Sequence, residues 1–356
     1  MPLFLHSYLM KKILISLLLL LAVTSWGSAQ ETDKKESNLN KVVNTLKERL
    51  TIEGYTQLAY SYDDSGDAKA NTFEIKRAIL MVRGKVTDRW TAYFMYNFAN
   101  TGKILEAYTE YNFLPELTVR LGQFKTMFTF ENPMSPCNVE LINIYSQATN
   151  YLVGYDSSDP LYGSNAGRDL GLMIYGDLFG NLFNYKLAVM NGQGINKKDG
   201  NNQKDIVGSL IANPTRWLSV GGTFVKGKGC AVATSAVNPN IAVGENYTRN
   251  RWSAGAMLKF KPIDIRTEFL HGKDGKVRSN GYYLTLSAHI LPRIDFIASY
   301  DYFNRNTKMD LQNTNYVAGL QWWFYPKCRL QLQYTRRDPK HGEGSNLLQT
   351  QVQVRF

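Results

Sequence analysis

The chain has 356 residues, 20% of them charged, with a formal net charge of +11, and its mean hydropathy of −0.30 is too polar for a bundle of membrane helices. Aromatic residues make up 13%, with 22 Tyr and 28 Gly, as expected of a chain in which only alternate residues meet an apolar medium. Cys137, Cys230 and Cys328 are an odd number and far apart, so they imply no disulfide framework, although the sequence leaves open whether Cys137 and Cys230 pair. The basic excess suits anionic solutes or a lipopolysaccharide surface, and it accompanies no nucleic-acid-binding module.

At the N-terminus, Lys11 and Lys12 precede the apolar run Ile13 to Val23, and Gly27-Ser28-Ala29 offers small residues for cleavage. Residues 1–29 therefore read as a signal peptide, whose removal lowers the formal charge from +11 to +9 because it takes Lys11 and Lys12 with it. No other segment approaches the roughly 18 to 20 uninterrupted apolar residues of a spanning helix. Entry into a membrane would thus be as a barrel. Residues 30–49 form a short segment that would lie in the periplasm. Within it Leu39, Val42, Val43, Leu46 and Leu50 recur at helical spacing, compatible with an amphipathic helix or with a disordered tether.

From Leu50 to the end the chain alternates. Strands are expected at 50–62, 71–86, 89–100, 103–113, 117–125, 167–178, 182–193, 204–213, 217–228, 248–260, 263–272, 280–291, 294–304, 313–325, 328–337 and 346–356. An even number puts both termini of an antiparallel barrel on one side, and sixteen strands leave an aqueous lumen. Turn residues such as Pro115-Glu116, Gly180-Asn181 and Lys261-Pro262 mark the short connections. Aromatic residues cluster beside them: Trp90, Phe113, Phe179, Phe183, Trp217, Phe260 and Trp322 to Tyr325, as in an interfacial girdle.

Parity assigns the faces. Trp252, Ala254, Ala256, Leu258 and Phe260 read as lipid contacts, with Arg251, Ser253 and Lys259 inward; Phe183, Tyr185, Leu187 and Val189 face lipid, with Asn184 and Lys186 inward. By the same rule Arg120, Arg266, Arg329 and Arg355 point into the barrel, together with Glu53, Glu106, Glu110, Asp264, Glu268, Asp295 and Asp301. Strand 71–86 carries charges in both phases, Glu74 and Lys76 against Arg77, Arg83 and Lys85, so a bulge or register change is expected there. In the last strand Leu348, Thr350, Val352, Val354 and Phe356 form one face, while Gln349, Gln351, Gln353 and Arg355 form a water-facing one.

One connection is much longer than the rest. Residues 126–166 include Phe128, Phe130, Leu141, Ile142, Tyr145, Tyr151 and Leu152, too much apolar surface to hang in water. Folded inward as the third long loop, the segment would narrow the lumen. Its constriction candidates are Glu131, Glu140, Tyr145, Tyr151, Asp156 and Asp159.

The stretches Val119-Arg120-Leu121-Gly122-Gln123-Phe124-Lys125, Phe128-Thr129-Phe130-Glu131 and Gly167-Arg168-Asp169-Leu170-Gly171, with the basic strand Phe73-Glu74-Ile75-Lys76-Arg77-Ala78 and the terminal Phe356, resemble the phosphate-selective porin O and P family of bacterial outer-membrane channels. The resemblance covers roughly residues 50–356. It implies an all-β, sixteen-stranded antiparallel transmembrane barrel, commonly homotrimeric, in the outer membrane with lipid and lipopolysaccharide around it, passing small inorganic anions such as phosphate. The chain departs from that pattern in its long loop, which has acidic residues and no Lys or Arg between 126 and 166. Anion contact must then come from the wall, with Arg77, Arg120, Lys125, Arg168, Lys186 and Arg266 as candidates. Each arginine could equally be the structural partner of an inward carboxylate.

The expected function is therefore passive diffusion of small hydrophilic solutes, with anion or phosphate preference as an addition. A non-conducting structural or adhesin-like surface barrel is the alternative. The four histidines, His6, His271, His289 and His341, sit in no nucleophile motif or metal-ligand spacing, so no catalytic residue, metal or other cofactor is expected. His289 reads as a polar lumen or interface residue.

Overall fold

The computed structural model describes residues 40, 43–66, 70–155 and 159–356; the signal peptide expected at 1–29 and Asp156 lie outside them. In the segment before the barrel, residues 43–49 are helical, with Val43 and Leu46 exposed.

Sixteen strands follow: β1 Leu50–Asp63, β2 Ala70–Lys85, β3 Trp90–Asn97, β4 Lys103–Leu114, β5 Leu117–Lys125, β6 Arg168–Leu178, β7 Phe183–Met190, β8 Asp205–Thr215, β9 Leu218–Cys230, β10 Asn246–Phe260, β11 Ile263–Asp274, β12 Val277–Leu291, β13 Ile294–Asn304, β14 Gln312–Tyr325, β15 Cys328–Pro339 and β16 Ser345–Arg355. Each pairs antiparallel with its sequence neighbours, and β1 pairs with β16 to close the barrel. Closure is what lipid demands, since an open sheet edge would leave backbone N–H and C=O groups without partners in hydrocarbon. The seam continues one residue past β16: Phe356 N–H donates to Gly54 O at 3.0 Å, and Gly54 N–H donates back to Phe356 O at 3.2 Å. A Cβ at Gly54 would run into the Phe356 ring and the Ile79 carbonyl, so only glycine lets the terminal aromatic lie flat on β1.

Outward residues are apolar, and the rings expected at the turn end are exposed there, Phe179 by 80%, Phe260 by 64% and Phe356 by 69%. Trp323 is the exception to the expected girdle. Strand alternation turns it inward, where Nε1–H donates to Asp295 at 2.9 Å and its ring lies under Arg329.

The irregularity expected in β2 is a bulge at Lys76: Gln57 faces Arg77 and the next β1 residue, Leu58, faces Ile75. One residue is thus left over, and the alternation changes phase across it. Glu74 lies inward before the bulge, and Arg77, Ile79 and Met81 lie inward after it.

The β5–β6 connection, residues 126–167, is bound to the inward face of strands far around the barrel. Thr129 N–H donates to Thr223 of β9 at 2.9 Å, Phe130 N–H to Glu268 of β11 at 3.0 Å, and Gln147 N–H to Asp301 of β13 at 2.9 Å. Both Gln331 and Gln333 of β15 donate to the Glu140 carbonyl, and Gln353 of β16 donates to that of Cys137. Its apolar side chains Phe128, Tyr151 and Leu152 pack with Phe124, Leu270, Tyr283 and Phe303. Among its described residues the connection contains one short helix, Gln147–Leu152, capped by the Ser146 hydroxyl. One expectation changes as a result: the glutamine face of β16 is not open to water, since Gln351 and Gln353 are buried between loop, β15 and β1.

Candidate functional site

Two cavities flank the long connection. The first, about 590 Å³, lies among residues of β2 and near the loop ends of β13–β15, with Ile142, Asn143, Tyr145, Gln147, Asn150, Tyr151 and Tyr155 of the connection on its wall. The second, about 470 Å³, lies near the turn ends of β7, β8, β10 and β11, against Thr129, Phe130, Pro133, Met134, Ser135, Asn138 and Glu140. Different residues of the same segment therefore face opposite ends of the barrel.

The loop carboxylates are held by wall cations. Glu140 meets Arg266 at 2.8 Å, and Glu131 lies 3.5 Å from the same guanidinium while accepting from Ser146 N–H and Oγ–H at 2.8 Å. Asp159 is 3.3 Å from Arg251, which also pairs with Asp274 at 2.8 Å. Burial alone would raise the Glu140 carboxyl, but Arg266 outweighs it and holds Glu140 below its ordinary value. At Glu131 burial prevails over Arg266 and pushes the carboxyl up. Burial, with Asp274 nearby, pushes Asp159 up to about 6 against the pull of Arg251. The acidity that set this loop apart in sequence thus serves to anchor it.

Four of the six wall candidates are occupied by the structure itself. Arg120 forms an ion pair with Glu110 at 2.6 Å and stacks on Tyr108 at 4.1 Å. Arg168 pairs with Glu106 at 2.8 Å and donates to the Ala166 carbonyl. Arg266 is taken by Glu140 and Glu131. Lys125, fully enclosed, donates to Met134 O at 2.5 Å and to Tyr145 OH at 2.9 Å, which ties the loop to the end of β5. Tyr145 also packs edge-on against Tyr155, and Tyr151 packs against Phe303.

The two remaining candidates line the cavities. Arg77 donates to Gln57 Oε1 at 2.7 Å and reaches Tyr155 OH at 3.4 Å, with no carboxylate in ion-pair range among the described residues. Lys186 lines the second cavity without an ion-pair partner among the described residues. Parity reasoning missed three cations of the first cavity: Lys76, Arg305 and Arg337. The phase change in β2 hid Lys76, whereas Arg305 and Arg337 share the parity of the inward Asp301 and Arg329 but lie beyond and at the ends of the expected strands 294–304 and 328–337. Lys76 pairs with Glu74 at 3.2 Å and Arg337 with Asp63 at 2.8 Å.

His289 bridges Asp295, at 2.6 Å, and Asp264, which lines the second cavity. All three cysteines are free thiols. Among the described residues no group of His, Cys, Asp and Glu is arranged to hold a metal, and no helix is long and apolar enough to cross a membrane.

Comparison with known proteins matches this architecture. The chain is similar in structure to the anion-selective porin from Comamonas acidovorans (TM-score 0.66, 15% identity, covering 86% of this chain and 99% of that one). It is similar to OmpT of Vibrio cholerae, solved in a trimer form (0.63, 11%, 86% and 99%), and to the outer membrane channel DcaP of Acinetobacter baumannii (0.61, 12%, 86% and 97%). At these identities the likeness is one of fold. A search of curated protein sequences finds no match. Residues 52–215, which hold β1 to β8 and the long connection, match the family model of phosphate-selective porin O and P. On that match and the closed sixteen-strand barrel, the chain is an outer-membrane channel protein whose residues 52–215 are similar to the phosphate-selective porin O and P family.

Proposed function

We propose that the barrel is a diffusion porin, assembled as a homotrimer, in which the 126–167 connection forms the constriction and small hydrophilic solutes pass with a preference for anions. The observation that carries this reading is the fate of the loop acids: the three described carboxylates are engaged by Arg266, Arg251 and backbone or hydroxyl donors, so their charge is largely compensated before a solute arrives. Uncompensated charge in a narrow, low-dielectric passage acts strongly on passing ions, and the larger cavity carries Lys76, Arg77, Arg305 and Arg337 against Asp301 and the Lys76 and Arg337 partners Glu74 and Asp63, a net positive balance among the described residues. Anion contact is assigned to Arg77 on the loop side and Lys186 on the turn side, whereas Arg120, Lys125, Arg168 and Arg266 hold the scaffold.

Planar-bilayer recording across a KCl gradient tests this. A reversal potential toward chloride, with current reduced by added phosphate, is the expected result. Cation preference would overturn the anion assignment, and insertion without conductance would favour the structural, adhesin-like surface barrel.

A further inference from the structure

We propose that the larger, loop-side cavity is a subsite for a hydroxylated organic anion of monosaccharide size, such as a hexose phosphate, rather than for a bare inorganic ion; this rests on the channel reading above. Three features of the wall lead there. The first is the bulge. In a regular strand Lys76 and Arg77 would point to opposite faces, but the extra residue in β2 brings both onto the cavity wall, giving two adjacent cations. Glu74 and Asp63 pair with Lys76 and Arg337 from an adjoining pocket, yet even with them included, cations outnumber carboxylates by one among the described residues. At the second cavity, Lys186, Lys259 and Arg266 are balanced by Glu140, Asp264 and the Arg266 partner Glu131.

The second feature is the rings. Tyr155, partly exposed, shares this wall with the cations, and behind it lie the buried Tyr151 and Phe303, whose tilted rings meet at 5.3 Å. Aromatic surface offers nothing to chloride or phosphate, whose hydration it cannot replace, but it can cover the C–H face of a sugar. The third is the amides. Asn143, exposed on the loop, and Asn315 present amides that both donate and accept, which suits hydroxyls, while the Gln147 amide is held by Asp301 and Asn313. A volume of about 590 Å³ falls within the roughly 300–1,000 Å³ of small-molecule sites and leaves room for a solute to pass.

The test compares half-blocking concentrations of glucose 6-phosphate, glucose and inorganic phosphate on the full-length protein in bilayers, with saturation-transfer NMR on the detergent-solubilised barrel in parallel. Glucose 6-phosphate is expected to block at about tenfold lower concentration than either comparator, the effect of one hydrogen bond to a charged group. Deleting Lys76 should abolish that advantage, since Gln57 and Leu58 already pair with Arg77 and Ile75 and the ladder survives without the extra residue. Lys76→Gln serves if the deletion variant does not fold. A conducting channel blocked no better by glucose 6-phosphate than by phosphate or glucose overturns the subsite and leaves the porin intact. Saturation transfer to glucose 6-phosphate without conductance keeps the subsite and overturns the porin; neither signal overturns both.

Discussion

Arg266 is the residue on which the loop depends most. It is nearly enclosed and faces two loop carboxylates, Glu140 at 2.8 Å and Glu131 at 3.5 Å. Removing one partner of a buried pair leaves an uncompensated charge and costs about 3–5 kcal/mol. Arg266→Gln is therefore expected to loosen the loop while the barrel, held by its ladders, remains folded. Single-channel recordings should show larger open-state fluctuation and a shift toward cations, and an unchanged reversal potential would count against the assignment. The same pair sets a pH dependence. Because Arg266 holds Glu140 below its ordinary value, the stabilisation is complete above the unfolded value of about 4.3 and is lost as pH falls through the lower folded value. The raised Glu131 acts in the opposite sense, so the contrast between wild type and Glu140→Gln isolates the pair. Wild type should be quiet at pH 7 and begin to fluctuate only when acidified below the ordinary carboxyl range, whereas Glu140→Gln should fluctuate already at pH 7. Equal traces from the two proteins at pH 7 would contradict this.

At the scale of the element, the decisive features are a seam and a bulge. β1 and β16 close the barrel with their ladder and a final reciprocal pair between Gly54 and Phe356. Gly54→Val puts branched carbon where the Phe356 ring lies, and no rotamer of valine avoids the Ile79 carbonyl. The expected outcome is a several-fold lower yield of the heat-modifiable, folded band on unboiled gels; a wild-type yield would show that the seam tolerates the side chain. Alternation made β16 readable, because period two is a property of the extended chain itself. The same rule anticipated trouble in β2 from charges in both phases, but it could not say which residue is extra. That depends on the partner strand, where Leu58 faces Ile75 and passes over Lys76.

For the whole molecule, the proposed trimer predicts a native mass of three chains in mild detergent, and a monomer at the same protein concentration would remove it from the functional reading. The chain by itself determined the barrel. Sixteen strands, their turns and their outward faces follow from local alternation and from the demand of lipid that every backbone group be paired, and β5 and β13 fall within the limits expected from sequence alone. What the tertiary structure decided was the meaning of the charges. Parity turned Arg120 and Arg266 inward and a motif made Arg168 a wall candidate, but whether each greets a solute or a carboxylate depends on Glu110, Glu106 and Glu140, which lie ten to 126 positions away. The sequence likewise presented an acidic loop as a barrier to anions, and only the contacts of Glu131, Glu140 and Asp159 with Arg266 and Arg251 turned those acids into anchors. Parity fixes which way a side chain points because that is set by its own backbone; its partner is set by closure of the barrel and the path of the long connection, which no local pattern encodes.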